Sequence, residues 1–311
     1  EETERTEISG YDVAIDTSNW LYKYMTTTTR FTRKDAYTNG NGVKLPNLIG
    51  VPSGVRKLVK NNVRPVFVFD GKPHKLKREE IDRRKKKRRE ALEKAQDAKD
   101  NSVEESKYES RSQKLNNDII ETTKKLLDIL DMPYVTAPQA AESQGAHMTN
   151  SDKFDAMISD DYDSLVFGSK CTIRKFTKSS DTVEKMSLKK SLDKYNISRQ
   201  QLVLATILCG TDYNSGVSGI GPKTSIDIVD ENDTIEDVLD YIDDDIEDIH
   251  EIFNLYMDPV VDDNYPDPKI SNPDTEEARE YLKQQGVSIS EVDKSLKEID
   301  ENSSQTGISS F

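Results

Sequence analysis

Aspartates follow three apolar stretches of this chain, each at the point where the stretch ends. The three pairs are 13–15 with Asp16, 65–69 with Asp70, and 156–158 with the acidic run 159–163, which holds Asp160, Asp161 and Asp163. In a parallel α/β sheet the carboxyl ends of the strands line one edge, and ligands bind where the strand order reverses. If the three stretches are parallel strands, their carboxylates therefore face one crevice.

Carboxylates gathered in one crevice repel each other unless a cation lies among them. Hard divalent cations, which prefer oxygen ligands, suit such a site best. Any one of these aspartates alone could be a helix cap or a turn former, since Asp favours those places. Taken as a set, they indicate metal-dependent phosphoester chemistry.

Helical patterns alternate with the apolar stretches along the chain. Apolar residues at helical spacing predict helices at 17–24, 48–61, 119–130, 140–148 and 198–208, and a further short strand is expected at 134–135. This alternation predicts an α/β fold with a mostly parallel central sheet flanked by helices. Residues 75–115 are almost all charged or polar, which is typical of a helical segment that protrudes above the sheet edge.

Charge is distributed very unevenly along the 311 residues. The net charge is −14, yet residues 72–89 hold eleven Lys or Arg against three acids, and residues 224–268 hold no Lys or Arg. A segregated basic segment is the electrostatic footprint of a nucleic-acid partner. The acidic remainder indicates a surface adapted to high salt or, alternatively, an ordinary solvated face.

No apolar run is long enough to span a membrane, and no secretory signal is present. Cys171 and Cys209 are too few for a disulfide framework and are expected to be buried thiols in a reducing cytosol. The chain begins at Glu1 rather than at a methionine, which leaves open whether an amino-terminal piece is missing.

A glycine-rich segment, 216–224, precedes another helical pattern. Its glycines can turn backbone N–H groups outward, and a helix start adds a partial positive charge. Such a nest binds a phosphate of a DNA backbone without reading sequence. A plain helix–helix connection is the alternative. The candidate DNA-binding residues here are Gly210, Gly216, Gly219, Gly221, Lys223 and Thr224.

Four segments, taken in order, resemble the archaeal and eukaryotic flap endonucleases, a family of structure-specific 5′ nucleases. They are 13–16, 64–73, 159–168 and 210–217, within a resemblance that runs from about residue 11 to 265 and includes the tail. The version in halophilic archaea is the most similar, in keeping with the acidic composition. The resemblance implies a PIN-like 5′ nuclease fold with a helical arch and a helix-hairpin-helix type DNA-binding motif.

The resemblance also implies a Mg²⁺-dependent nuclease that removes 5′ flaps from branched DNA, with 5′–3′ exonuclease activity, in Okazaki fragment maturation and repair. Two Mg²⁺ ions, for which Mn²⁺ could substitute, would perform an in-line hydrolysis that leaves a 5′ phosphate. By position in the family motifs, Asp16, Asp70 and Glu142 would hold the first ion. Asp161, Asp163 and Asp212 would surround the second.

Lys77 and Arg84 match the family's cations that contact the scissile phosphate. The alternative is a solvated basic helix that binds phosphate non-specifically. Tyr22, six residues after Asp16, matches an aromatic residue on which a base stacks, and a core tyrosine is the alternative.

The chain departs from the family at one acidic pair. Family members carry Glu-Gly-Glu after Ala-Pro. In this chain Ala140 stands at the position of the first glutamate and Glu142 at the position of the second. Either a neighbour such as Asp160 and the remaining carboxylates hold both ions, or the chain binds junctions and has lost much of its cutting. The hypotheses are thus an active flap endonuclease, a weakened or inactive junction-binding and clamp-docking protein, and a related 5′–3′ exonuclease or RNA-primer remover.

The last residues resemble a sliding-clamp (PCNA) binding box, with Gln305, Ile308 and Phe311 at its spacing, although a frayed polar tail is the alternative. We expect a monomer in the archaeal cytoplasm, associated with the nucleoid. The predicted regions are an amino-terminal nuclease region (1–90), an arch or connector (91–116), an internal nuclease region (104–232) with the hairpin motif at 216–230, an acidic helical region (233–302) and the clamp-binding tail (303–311).

Overall fold

The computed structural model describes residues 1–40, 42–96, 117–178, 180–270 and 272–306. Within these residues seven strands form one sheet. The strands are β1 (Glu2–Glu4), β2 (Asp12–Asp16), β3 (Arg64–Phe69), β4 (Tyr134–Thr136), β5 (Ala156–Ile158), β6 (Cys171–Arg174) and β7 (Thr182–Ser187), in the spatial order β1-β7-β6-β5-β2-β3-β4.

The five neighbouring strands from β6 to β4 are parallel, whereas β7 and β1 are antiparallel additions at one edge. Strand order reverses around β2, which pairs with β3 on one side and β5 on the other. Ile15 of β2 is in register with Phe67 and with Ile158, so the three strands end together. The mostly parallel sheet is therefore confirmed. The apolar pattern predicts neither antiparallel strand, because β1 and β7 are mostly polar and only partly buried.

The helices confirm the predicted alternation. They are α1 (Thr17–Phe31), α2 (Asn47–Lys60), α3 (Lys75–Gln96), α4 (Asn117–Ile129), α5 (Ala141–Thr149), α6 (Asp163–Val166), α7 (Leu188–Tyr195), α8 (Arg199–Cys209), α9 (Pro222–Glu231), α10 (Ile235–Ile242), α11 (Ile249–Met257), α12 (Thr275–Gln284) and α13 (Ile289–Thr306), with short 3-10 helices at Arg5–Ile8 and Lys34–Tyr37. Among the described residues, none of these helices is long and apolar enough to cross a bilayer.

Apolar side chains form three clusters around this framework. One lies between the sheet and α1, α2, α4, α12 and α13, and a smaller one covers the opposite face beneath α5. The third lies within the helices α8 to α11 and includes Leu76 from the start of α3. Because Leu76 is only 4% exposed, it anchors an otherwise charged helix to the α8–α11 unit.

Two of the predicted regions extend beyond the described residues. The predicted arch, 91–116, is described as helix only as far as Gln96. Helix α13 continues to Thr306, so the predicted start of the tail at 303 falls inside a helix. Ile308 and Phe311 lie outside the described residues, and Gln305 falls in the last turn of α13.

Candidate active site

Asp16 lies at the boundary between β2 and α1, at the strand order reversal. It is 2% exposed, and its Oδ1 accepts the backbone N–H of Asn19 at 2.9 Å, which caps α1. Its Oδ2 accepts the hydroxyl of Ser159, at the end of β5, at 2.9 Å. Burial and the neighbouring carboxylate of Asp70 raise the pKa of Asp16 to about 7, so burial and like charge dominate at this carboxylate.

Asp70, which follows β3, and Glu142, in the first turn of α5, lie near Asp16. Oδ1 of Asp70 accepts the backbone N–H of Ala141 at 2.8 Å, so the first turn of α5 is tied to the end of β3. Gly71 permits this approach, because a Cβ at that position would lie 2.0 Å from the carbonyl oxygen of Ala137. Burial, then Asp16 and Asp70, raise the pKa of Glu142 well above its ordinary value.

Asp161 and Asp163 follow β5 in a compact turn. The Ser159 hydroxyl accepts the backbone N–H of Asp161 at 3.1 Å, and Oδ1 of Asp161 accepts the backbone N–H of Asp163 at 3.1 Å. Ser159 therefore connects Asp16 to Asp161 through one hydroxyl. Burial raises the pKa of Asp163 to about 7, with further contributions from the carboxylates of Asp161 and Asp212.

Asp212 reaches the site from the loop that follows α8. The side chain of Asn214 accepts the backbone N–H of Thr211 at 3.1 Å and donates to the carbonyl of Ile207 at 2.9 Å, which fixes the loop. Nζ of Lys77, on α3, lies 3.0 Å from Oδ2 of Asp212. Burial alone lowers the pKa of Lys77, but the carboxylates of Asp212 and Glu142 outweigh burial and raise it. Lys77 thus supplies positive charge to both sides of the site.

Arg84, two turns further along α3, faces the same loop. Its Nη2 donates to the Thr211 carbonyl at 2.5 Å, and its Nη1 lies 3.8 Å from Oδ1 of Asp212. The structure therefore brings together all eight of the predicted metal-ligating and catalytic residues. They are Asp16, Asp70, Glu142, Asp161, Asp163, Asp212, Lys77 and Arg84.

The structure shows the surroundings of the two residues that bear on the missing family glutamate. Asp160 pairs with Lys23 and accepts the backbone N–H of Lys175 at 2.5 Å. These contacts do not favour Asp160 as a substitute for that glutamate. Ala140 is the N-cap residue of α5 without a side-chain cap, and its methyl group offers no ligand.

The carboxylate cluster has the donor chemistry of a divalent-cation site. Hard oxygen ligands suit Mg²⁺, and raised carboxyl pKa values mark negative charges that a cation would stabilise. In the described part of the chain, no three or more His, Cys, Asp or Glu side chains are already arranged to hold a metal ion. The carboxylate oxygens are therefore suitable ligands for such ions, and the side chains would have to approach one another to coordinate an ion.

The glycine-rich segment lies in the loop that connects α8 and α9, where the sequence predicts the hairpin. Gly216 has φ +71°, and a Cβ there would lie 2.5 Å from the backbone carbon of Cys209, so only glycine fits. Gly210 and Gly219 also have positive φ, while a Cβ at Gly219 or Gly221 would meet nothing within 4 Å. Helix α9 begins after Gly221 without a side-chain cap, beside exposed Lys223 and Thr224. This open helix start is suited to a phosphate.

Tyr22 lies on the surface rather than in the core. It is 42% exposed and lines a groove of about 460 Å³ together with Asn19 and Lys23. This position excludes the core-tyrosine alternative and leaves the ring accessible in a groove that Asp160 also lines. Two residues of the site were not predicted from the sequence: Ser159, which donates to Asp16, and Glu80, which binds Arg84. The i, i+4 spacing of Glu80 and Arg84 is the signal that could have revealed Glu80.

Comparisons with known proteins agree with this geometry. The profile of the XPG N-terminal domain matches residues 2–91, and that of the XPG I-region matches residues 131–212. The chain is 40% identical over 305 residues to flap endonuclease 1 of Haloquadratum walsbyi, covering 97% of this chain and 93% of that protein. It is 39% identical over 306 residues to that of Haloarcula marismortui, with the same coverage.

A solved structure agrees as well. Flap endonuclease-1 from Methanococcus jannaschii superposes with a TM-score of 0.74 at 27% identity, covering 98% of this chain and 97% of that one. The two sequence relatives come from halophilic archaea. The acidic composition of this chain agrees with that similarity. The chain therefore belongs to the flap endonuclease 1 family of XPG-type nucleases.

Proposed function

We propose that this protein is a structure-specific 5′ flap endonuclease that removes flaps from branched DNA during replication and repair. As a member of its family it is a nuclease that hydrolyses phosphodiester bonds. The observation that carries the proposal is the meeting of carboxylates from five segments with two α3 cations at the carboxyl edge of a parallel sheet.

In this proposal Asp16, Asp70 and Glu142 hold one Mg²⁺ ion, and Asp161, Asp163 and Asp212 hold a second. When bound, such a pair generates a nucleophile from water and stabilises the leaving oxygen of an in-line displacement. Ser159 keeps Asp16 and Asp161 in a fixed relation, because its hydroxyl bonds both.

Lys77 and Arg84 supply the positive charge for the phosphate being cut. In the free protein both cations face Asp212. Lys77 and Arg84 would present their ammonium and guanidinium groups to the scissile phosphate and stabilise its developing charge. Both lie on α3, which stands at the base of the predicted arch, so a threaded strand would pass beside them.

The DNA outside the reaction centre would contact two surfaces. The hairpin of Gly216, Gly219, Gly221, Lys223 and Thr224 would bind duplex phosphates through backbone N–H groups and one ammonium. Tyr22 would stack against a base near the cleavage point, a contact worth roughly 1–3 kcal/mol. Neither contact reads sequence, as a structure-specific enzyme requires.

The predicted tail would attach the enzyme to a sliding clamp through Gln305, Ile308 and Phe311. We further propose that the protein acts as a monomer beside the nucleoid of an archaeal cell. Deletion of residues 303–311 should remove binding to the clamp while leaving flap cleavage unchanged in its absence.

A 5′-labelled flap substrate tests the proposal directly. With Mg²⁺, and with Mn²⁺ in parallel, the product should be a released flap, formed faster than products from nicked or blunt duplexes. Equal cleavage of all three substrates would favour the exonuclease or primer-removal alternative. Binding without cleavage, with cutting restored by Ala140→Glu, would favour the weakened junction-binding alternative.

A further inference from the structure

We propose that Glu80 is a positioning residue that sets the guanidinium of Arg84 against the active site and fixes the register of α3 above it. Helix α3 is almost entirely charged, yet the Glu80 side chain is only 1% exposed. The structure gives this buried acid no place among the candidate metal ligands. Its contacts are directed to the arch cations and to the loop that carries Asp212.

Three side chains contact the buried carboxylate. Oε1 accepts hydrogen bonds from Nε of Arg84 at 2.7 Å and from the hydroxyl of Ser215 at 3.2 Å, while Oε2 forms an ion pair with Nη2 of Arg83 at 2.6 Å. A buried carboxylate is costly unless it is paired and hydrogen-bonded, and here it is both. Because bonds between ionised groups are short and strong, Glu80 holds Arg84 in one orientation.

That orientation decides which edge of the guanidinium reaches the site. Nε is bound to Glu80, and Nη2 donates to the Thr211 carbonyl at 2.5 Å. Nη1 is left as the group nearest the site, 3.8 Å from Oδ1 of Asp212. A guanidinium has a fixed planar fork, so binding one edge aims the opposite one. Without Glu80 the flexible side chain of Arg84 would sample other rotamers.

Glu80 also joins two elements that are far apart in sequence. Its bond to Ser215 ties α3 to the loop 210–216, one turn from the Lys77–Asp212 pair. Leu76 packs into the α8–α11 cluster on the same side. The contacts that fix the start of α3 to the helices α8 to α11 and their connecting loop thus include the packing of Leu76, the Lys77–Asp212 ion pair and the buried carboxylate of Glu80.

The inference rests on the proposed role of Arg84 in flap cleavage, and its test is the single-turnover rate with saturating flap DNA and Mg²⁺. Glu80→Gln keeps the size of the side chain but removes its charge, and should slow cleavage about tenfold. Affinity for flap DNA without divalent cation, and the melting temperature, should stay near the wild-type values. Glu79→Gln is the matched control, because Glu79 is an exposed acid that precedes Glu80 on the same helix. This variant should cleave at the wild-type rate.

A double-mutant cycle separates positioning from general structural support. If Glu80 acts through Arg84, then Glu80→Gln should cause no further slowing in an Arg84→Ala background. Slowing of the same factor in both backgrounds would overturn the proposal. If Glu80→Gln does not fold, Ser215→Ala is the substitute, because it removes only the hydrogen bond between Glu80 and the loop. Ser215→Ala should slow cleavage about threefold when Arg84 is present and should cause no slowing in the Arg84→Ala background. Unchanged cleavage by folded Glu80→Gln would also overturn it.

The failures of the two proposals are distinguishable. If the wild-type protein does not cleave a flap, or if Arg84→Ala cleaves at the wild-type rate, the proposed function or the role of Arg84 is contradicted. If the wild type cleaves, Arg84→Ala is slow and Glu80→Gln is fast, only the Glu80 proposal is contradicted.

Discussion

The two sides of the candidate site are built in different ways. The rim half, Asp16, Asp70 and Glu142, lies at the ends of β2 and β3 and at the start of α5, where backbone N–H groups and Ser159 hold the carboxylates. The arch half, Asp212 with Lys77 and Arg84, consists of side chains from a loop and from α3 that hold one another through charge.

The electrostatics of the two halves differ accordingly. In the rim half burial and like charges raise the carboxyl pKa values, and the nearest ammonium, that of Lys77, offsets only part of this effect. In the arch half Asp212 already has a cation 3.0 Å away and is 46% exposed. The carboxylates of the rim half are thus the less compensated ones, whereas the arch half carries its own cations. This difference agrees with the proposal that the rim half attracts metal ions and that Lys77 and Arg84 serve the DNA phosphate.

The largest effect should come from removing one carboxylate of each half. Asp16→Asn and Asp212→Asn should both lower cleavage about a thousandfold or more, because each removes a metal ligand. Their effects on the metal-free protein at pH 8 should have opposite signs. Asp16→Asn removes a buried charge and should raise the free energy of unfolding, while Asp212→Asn unpairs Lys77 and should lower it by up to about 1 kcal/mol.

Calorimetry and flap cleavage of the two variants provide the measurements. Changes of stability with the same sign would contradict the division into two halves. Retained affinity for flap DNA without metal serves as the control for folding.

Lys77→Met should slow single-turnover cleavage about 10²- to 10³-fold, since it removes a cation aimed at the scissile phosphate. Affinity for flap DNA should fall much less. Lys75→Met, two residues earlier and paired with Glu251 rather than with the cluster, is the control. Equal losses in the two variants would mean that the basic segment acts only by attracting DNA.

Metal affinity should depend on pH through the raised carboxyl pKa values. Asp16 and Asp163 titrate near pH 7, so below that pH protons compete with the metal and apparent Mg²⁺ affinity should fall by about tenfold per pH unit for each proton displaced. Titration calorimetry at pH 6 and pH 8 measures this, and equal affinities would contradict it.

The smallest effect is expected at the hairpin, which contacts DNA but not the reaction centre. Lys223→Ala should reduce the salt slope of duplex affinity by about 0.9 and leave the rate at saturating DNA unchanged. Lys189→Ala, an exposed lysine on α7, is the control. A reduced rate at saturating DNA would place Lys223 nearer the chemistry than the structure does.

Much of the site could be predicted because it depends on local patterns. An apolar run followed by Asp predicts a strand end, and parallel strands necessarily bring their ends to one edge, so Asp16, Asp70 and Asp161 were found from sequence. Glu142 was predicted from the family resemblance, because no local pattern distinguishes it from neighbouring acids. The contact of Asp160 with Lys23 could not be predicted, because one residue of difference in a turn decides where its side chain lies.

Sequence reasoning alone predicted the strands β2, β3 and β5, their ends and the glycines of segment 216–224, since these follow from hydrophobic period and backbone freedom within a few residues. It took the folded structure to show that Ser159 connects two carboxylates, that Lys77 neutralises Asp212 and that Glu80 is buried beneath Arg84. Each of these pairings joins a charged or polar group to a neighbour whose identity depends on how separate elements pack. Local patterns report the tendency of a segment to form a helix or strand, whereas the free energy of a buried charge is set by the groups that surround it in the folded chain.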